Sequence, residues 1–378
     1  ALGNTALDSV QSDGNFNTAI GANSGTAITT GDDNTVIGKN SGNSITTGST
    51  NTALGSGSLF SNTTASENTA MGVASMLSTT IGCQNVALGR NSLRGNVIGN
   101  LNVAVGMGAL CNNTASNNTS VGACSLYANT TGANNTAVGY IALCSNTTGS
   151  CNVAIGRDAL DSNTEGSSNV AVGTDTLQAN TTGGSNIAIG DDALKGNSTA
   201  SFNIGIGATA LQNNQTGTGN VAVGYQSLPS NTASNNTAIG LCSLYANTTG
   251  TANVAVGRCA LATNISGGTN TAVGYNSLTL NTGCCNTAVG YVSLTNNSSG
   301  ANNSAVGHSA LGANTTGSNN AAFGCGALGA NTTASYNTAV GYNSLKTTIT
   351  GAGNTGLGYR SLELTTASNN TGLGYEAG

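Results

Sequence analysis

The residues of this 378-residue chain that could do chemistry are one histidine, ten cysteines and thirteen carboxylates, and their spacing argues against catalysis. His308 stands where other repeats carry Tyr140, Tyr225, Tyr275, Tyr291 and Tyr342. A general base or a metal ligand needs partners, and none recurs beside it. The pairs Asp32–Asp33 and Asp191–Asp192 offer carboxylates for a cation, but a calcium ion wants six or more oxygens and no carboxylate column supplies them. The string GCGALG (324–329) fits a dinucleotide-binding pattern by letter, without the βαβ unit that gives the pattern its meaning. GDDNTVIGK (31–39) misses phosphate-loop spacing by two residues, with six residues rather than four between its glycines. The expectation is a non-enzyme with no cofactor and no metal.

The cysteines are scattered and form no Cys-x-x-Cys zinc pattern. Most stand where other repeats carry Ser or Ala. Cys242 and Cys259 differ, because both lie two residues after a recurring Gly in adjacent repeats. Stacked repeats would bring their Cα atoms to about 5 Å, within the span of a disulfide. Asn129, Asn146, Asn180, Asn247 and Asn314 open N-x-S/T triplets that permit N-glycosylation. The other reading of those residues is turns and amide ladders.

Composition removes further classes. Eight basic against thirteen acidic residues leave a net charge of −5, so there is no basic patch for nucleic acid. No apolar run approaches the length of a membrane-spanning helix, so no membrane insertion is expected from this segment. Low charge and a single proline oppose disorder, and the glycines lack the collagen period.

What must position any site is a repeat. NTAVG (135–139), NVAIG (152–156), NVAVG (169–173) and NIAIG (186–190) are spaced 17 residues apart. The last Gly of this motif recurs 23 times from Gly3 to Gly374, with seventeen intervals of 17 residues, four of 16 and one of 18. The repeat fills residues 1–378 as one continuous domain of about 22 coils. It begins and ends inside a repeat, as a segment of a longer fibre would. Short apolar pieces alternate with Asn/Thr/Gly turns, which suits strands of about four or five residues and opposes helix. The fold expected is all-β, a parallel β-solenoid or β-roll with one coil per 16–18 residues. The shorter repeats lose their residue between the middle Asn and the next NTA, as in NTASNNTAIG (231–240), so one corner absorbs the change.

Each column then has a role. The Asn opening N-(T/V)-A, as in Asn135, Asn152, Asn169 and Asn186, stacks into a ladder at about 4.8 Å per coil. Leu143, Leu160 and Leu177, with Val138, Ile155 and Val172, are the expected apolar core. Near the start, Gly25 and Gly42 replace the core Leu while Ile28 and Ile45 appear three residues later, a local repacking. The residue between the two apolar strand positions stays small, as in Ala137, Ala154, Ala171 and Ala188. Alternation puts it on the face opposite Val/Ile. Its restriction then implies a close neighbour, read here as another chain in a parallel homotrimer.

The segments NTAVGYNSL (270–278), NTAVGYVSL (286–294) and ANTTGANNTAVGY (128–140) resemble repeats of trimeric phage and virus tail-fibre proteins. They are also similar to the head repeats of YadA-like trimeric autotransporter adhesins. The tail-fibre resemblance covers the whole chain. It implies a trimeric, left-handed parallel β-roll that serves as an extracellular surface fibre, with self as its main partner and a host-surface receptor or glycan as a further one. No catalytic residue carries over. Coil steps of about 4.8 Å would build a stiff rod of roughly 105 Å. The competing expectation is an ice-binding or carbohydrate-binding β-solenoid, since the chain is rich in Thr and poor in charge.

Overall fold

A computed structural model describes residues 2–11 and 13–378. The described residues form 22 three-residue strands, from β1 (Thr18–Ile20) to β22 (Thr371–Leu373), and no helix. The protein is a parallel β-solenoid with about 17 residues per turn. Two compact units divide it, Ala1–Ala188 and Ile189–Gly378. In the first unit, neighbouring strands pair in parallel and in register, as in Thr136↔Val153, Ala137↔Ala154 and Val138↔Ile155. In the second, Val221 pairs with Thr237 and Ala222 with Ala238 across a 16-residue coil. Register is kept because the missing residue falls in a turn. The side chain of Asn247 closes a normal turn by donating to Gly250 three residues on, whereas Asn231 closes the shortened one by donating to Ala233 two residues on.

The strands are shorter than the apolar pattern suggests because both ends are committed. The Asn before each strand turns its side chain into the coil, and the Gly after it bends the backbone. Gly38 has φ 134°, and a Cβ there would lie 2.6 Å from the carbonyl oxygen of Gly55 in the next coil. No other residue fits such a corner. Further corners use non-glycine residues in the left-handed region, including Asn134 (φ 59°), Ile141 (φ 49°) and Leu143 (φ 54°). Each costs roughly 1–2 kcal/mol. For leucine the cost is offset by burial, because the corner aims the side chain inward, and burying a leucine contributes about 1.5–3 kcal/mol. The corners also bond between coils, as in Leu143 N–H donating to Ala159 at 2.9 Å.

The interior corrects one expectation. Leu143, Leu160 and Leu177 are fully buried, as expected. Val138, Ile155 and Val172 are not core residues. Val138 and Val172 are half-exposed, Ile155 is 40% exposed, and it is Ala137, Ala154, Ala171 and Ala188 that point inward. A three-residue strand presents only its middle side chain to the inside. The corner leucine and two columns of Asn already occupy that space, so only a small side chain fits. At Gly205 an added Cβ would meet Ala210 O at 3.2 Å and Leu194 Cγ at 3.3 Å. The small residues do have a close neighbour, but that neighbour is their own coil.

Candidate functional surface

The two Asn columns are the most regular chemistry in the molecule. In the first, each Asn serves the next coil's backbone. Asn152 N–H donates to Asn135 Oδ1 at 3.0 Å, and Asn169 N–H donates to Asn152 Oδ1 at 2.9 Å. The amide nitrogens donate to the turn carbonyls, Asn135 to Gly149 and Asn152 to Gly166. Asn186 continues the column, donating through its backbone N–H at 3.0 Å and its Nδ2 at 3.2 Å to Asn169 Oδ1. The expected ladder is present, but it runs mainly from side chain to backbone rather than from amide to amide.

The second column is the amide-to-amide ladder. Asn146 donates to Asn129 Oδ1 at 2.7 Å, Asn163 to Asn146 at 2.8 Å, and Asn180 to Asn163 at 2.8 Å. Asn247 and Asn314 repeat the pattern on Asn231 and Asn297. All five expected glycosylation residues, Asn129, Asn146, Asn180, Asn247 and Asn314, lie in this column and are fully buried. Each Nδ2 also donates to a turn carbonyl, as Asn146 does to Gly149 at 2.9 Å. A glycan on that nitrogen would need space that does not exist and would remove a buried donor, so the folded chain cannot carry it.

The Cys242–Cys259 disulfide that the spacing allows is not formed in this structure. Cys242 and Cys259 are free and partly buried. The Cys242 thiol lies 4.0 Å from Gln226 Oε1 in the preceding coil. Burial pushes the Cys242 thiol up, with the neighbouring Cys259 adding to it. Burial also raises Cys111 and Cys144, which disfavours the reactive thiolate at both. Asp161 is raised by burial first and by Asp158 second.

Among the described residues, no group of three or more His, Cys, Asp or Glu side chains could hold a metal ion. Asp32 accepts the Asn15 N–H, and Asp192 pairs with Lys195 at 2.9 Å. Gly324 of GCGALG is a corner glycine with φ 135°. No described helix is long and apolar enough to cross a membrane.

Two surface features emerge only in three dimensions. The first and third residues of every strand point outward together, so the uncovered strand face carries apolar side chains such as Leu54, Ile155, Ile239, Val306 and Phe323. The second is a row of stacked rings at the residue after the corner Gly. Tyr275, Tyr291 and His308 stack with centroids 5.3 and 5.2 Å apart, and Tyr342, Tyr359 and Tyr375 with centroids 5.4 and 5.0 Å apart. Recurrence of Tyr at one repeat position was the sequence signal for this row, and it reads there only as surface. Tyr140 and Tyr225 occupy the same column singly and are exposed at 60% and 52%. No protein-family model matches the chain, and no curated protein matches it.

Proposed function

We propose that this chain forms the shaft of an extracellular structural fibre, of the tail-fibre or surface-adhesin type, that associates with copies of itself as a homotrimer and performs no catalysis. The observation that carries the reading is the uncovered apolar strand face, which recurs coil after coil within each unit. Soluble monomers rarely leave contiguous apolar area of this kind open, and large patches mark association surfaces. The support for association therefore rests on the Val/Ile face, since the small Ala column is interior. Identical coils on two chains have the same step, so their outer faces mesh in register at every repeat. The buried columns change little from coil to coil, which suits a shaft better than a localised site. A host-surface receptor or glycan would be engaged by such a fibre elsewhere or at its variable surface positions.

Sedimentation of wild type against Ile155→Lys/Val172→Lys tests the reading. Both side chains are outside, so the variant should keep its fold by circular dichroism and sediment as a monomer while wild type sediments as a trimer. A monomeric wild type would remove the proposal. Ice binding is the second reading, because Thr and Val/Ile share the same flat outer face. The run Thr18, Thr35, Thr52 and Thr69 favours it, and Val86 and Val103 break that run. Thermal hysteresis of the monomer would select it over the fibre.

A further inference from the structure

We infer that the tyrosine stacks of the second unit are sites of oxidative covalent stapling, where dityrosine forms between adjacent coils. Five of the ten tyrosines take part: Tyr275 with Tyr291, and Tyr342 with Tyr359 with Tyr375. Their rings are nearly parallel, at 9° to 12°, with centroids 5.0–5.4 Å apart. All five are partly or largely open to solvent, from 38% at Tyr275 to 73% at Tyr375. Neither a disulfide nor a metal ties one coil to the next among the described residues. The stacks place the one other side chain that couples to itself at the outer edge of consecutive coils.

The coupling needs a one-electron oxidant, and a haem peroxidase with hydrogen peroxide is the class that fits exposed phenols. Each tyrosine gives up one electron and its hydroxyl proton, so peroxide is reduced to two waters. The two phenoxyl radicals join through ring carbons beside the hydroxyls, forming one C–C bond. The hydrogens on those carbons then move to the oxygens and restore two phenols. Stacked rings must slip so that their edges meet, and the solvent-facing side leaves them free to do so. The backbone ladder meanwhile holds the two coils about 4.8 Å apart, which makes coupling intramolecular and raises the effective concentration far above that of separate molecules. The stacked faces are covered by each other, which also disfavours these rings as a platform for sugar rings. The Arg360 guanidinium carbon lies 5.5 Å from the Tyr359 ring centroid.

The other five tyrosines are an internal control. Tyr140 has Ala123 and Arg157 as column neighbours, and Tyr225 has Ala208 and Leu241. Tyr127, Tyr245 and Tyr336 lie outside the stacked column. The purified chain should be treated with peroxidase and peroxide over a range of protein concentrations, and crosslinks mapped by mass spectrometry. Expected are the pairs Tyr275–Tyr291, Tyr342–Tyr359 and Tyr359–Tyr375 within one chain, each lighter by two hydrogens. Their yield should not depend on protein concentration and should exceed that of any pair containing a control tyrosine by roughly tenfold or more. Tyr359→Phe keeps the stacked ring and the fold, and should abolish both C-terminal crosslinks while leaving Tyr275–Tyr291. Absence of dityrosine overturns the inference. So does a crosslink distribution that follows exposure alone, or one that disappears on dilution.

Discussion

The coil containing Val36, Gly42 and Ile45 and the coil containing Ala137, Leu143 and Asn146 fill the same cross-section with different residues. In the second, a small strand residue, a corner leucine and a ladder amide share the interior, all fully buried. In the first, the strand residue grows to Val36, the corner loses its side chain at Gly42, and the ladder position becomes Ile45, with Val36 and Ile45 again fully buried. The space left at Gly42 is taken up by its neighbours: a Cβ added there would meet Val36 Cγ1 at 2.5 Å and Ile45 Cδ1 at 2.9 Å. The corner backbone does not change, since Gly42 has φ 57° and Leu59 in the next coil has φ 49°. The lesson is that these two coils close the same cross-section with its buried volume distributed differently and even with different polarity. Ile28 and Ile45 carry no amide, so the second ladder is absent in these coils, while the first ladder continues through Asn34 and Asn51.

The largest test breaks the standard coil. Leu160→Asp and Ala154→Arg each put a charge without a partner into an interior that both comparison coils keep closed. Each should cost more than about 4 kcal/mol and unfold the surrounding coils. Circular dichroism melting checks this. An Ala154→Arg chain that keeps its melting temperature and changes only its sedimentation would return the small column to an outer interface.

Removing the ladder that both coils share comes next. Asn152→Leu with Asn169→Leu leaves the buried backbone N–H groups of residues 169 and 186 without their acceptors, while the Gly166 and Gly183 carbonyls lose one donor each and keep the other, from Asn163 and Asn180. Unsatisfied buried groups cost about 1–3 kcal/mol apiece, so a loss of several kcal/mol is expected. Hydrogen exchange should show it as faster opening confined to the neighbouring coils. Uniform protection would mean that the ladder is dispensable.

The smallest expected effect sharpens the comparison itself. Gly42→Leu alone overpacks the first coil and should cost about 1–3 kcal/mol. The triple change Val36→Ala/Gly42→Leu/Ile45→Asn converts it to the standard coil and should recover most of that loss, with the introduced amide able to bond Asn62 in the next coil. Denaturant melts of the single and triple variants read the coupling. If the triple is no more stable than the single, the three positions do not compensate for one another.

The period, the corner glycines, the position of each strand and the variable turn could all be read from residues alone. They depend on local chemistry, namely backbone φ at Gly and the alternation of a short strand, and a 17-residue period repeats that chemistry many times over. The Asn column and the buried Leu column were legible for the same reason. Which strand face is inside was not. Alternation assigns Ala154 and Ile155 to opposite faces without saying which one is enclosed, and hydrophobicity favours Ile155. The closed coil reverses that choice, because its left-handed leucine corners and two amide columns leave room for a methyl group only. The same closure turned the N-x-T triplets into a buried ladder. It also brought tyrosines a full repeat apart into ring contact, which no local pattern encodes without the coil step.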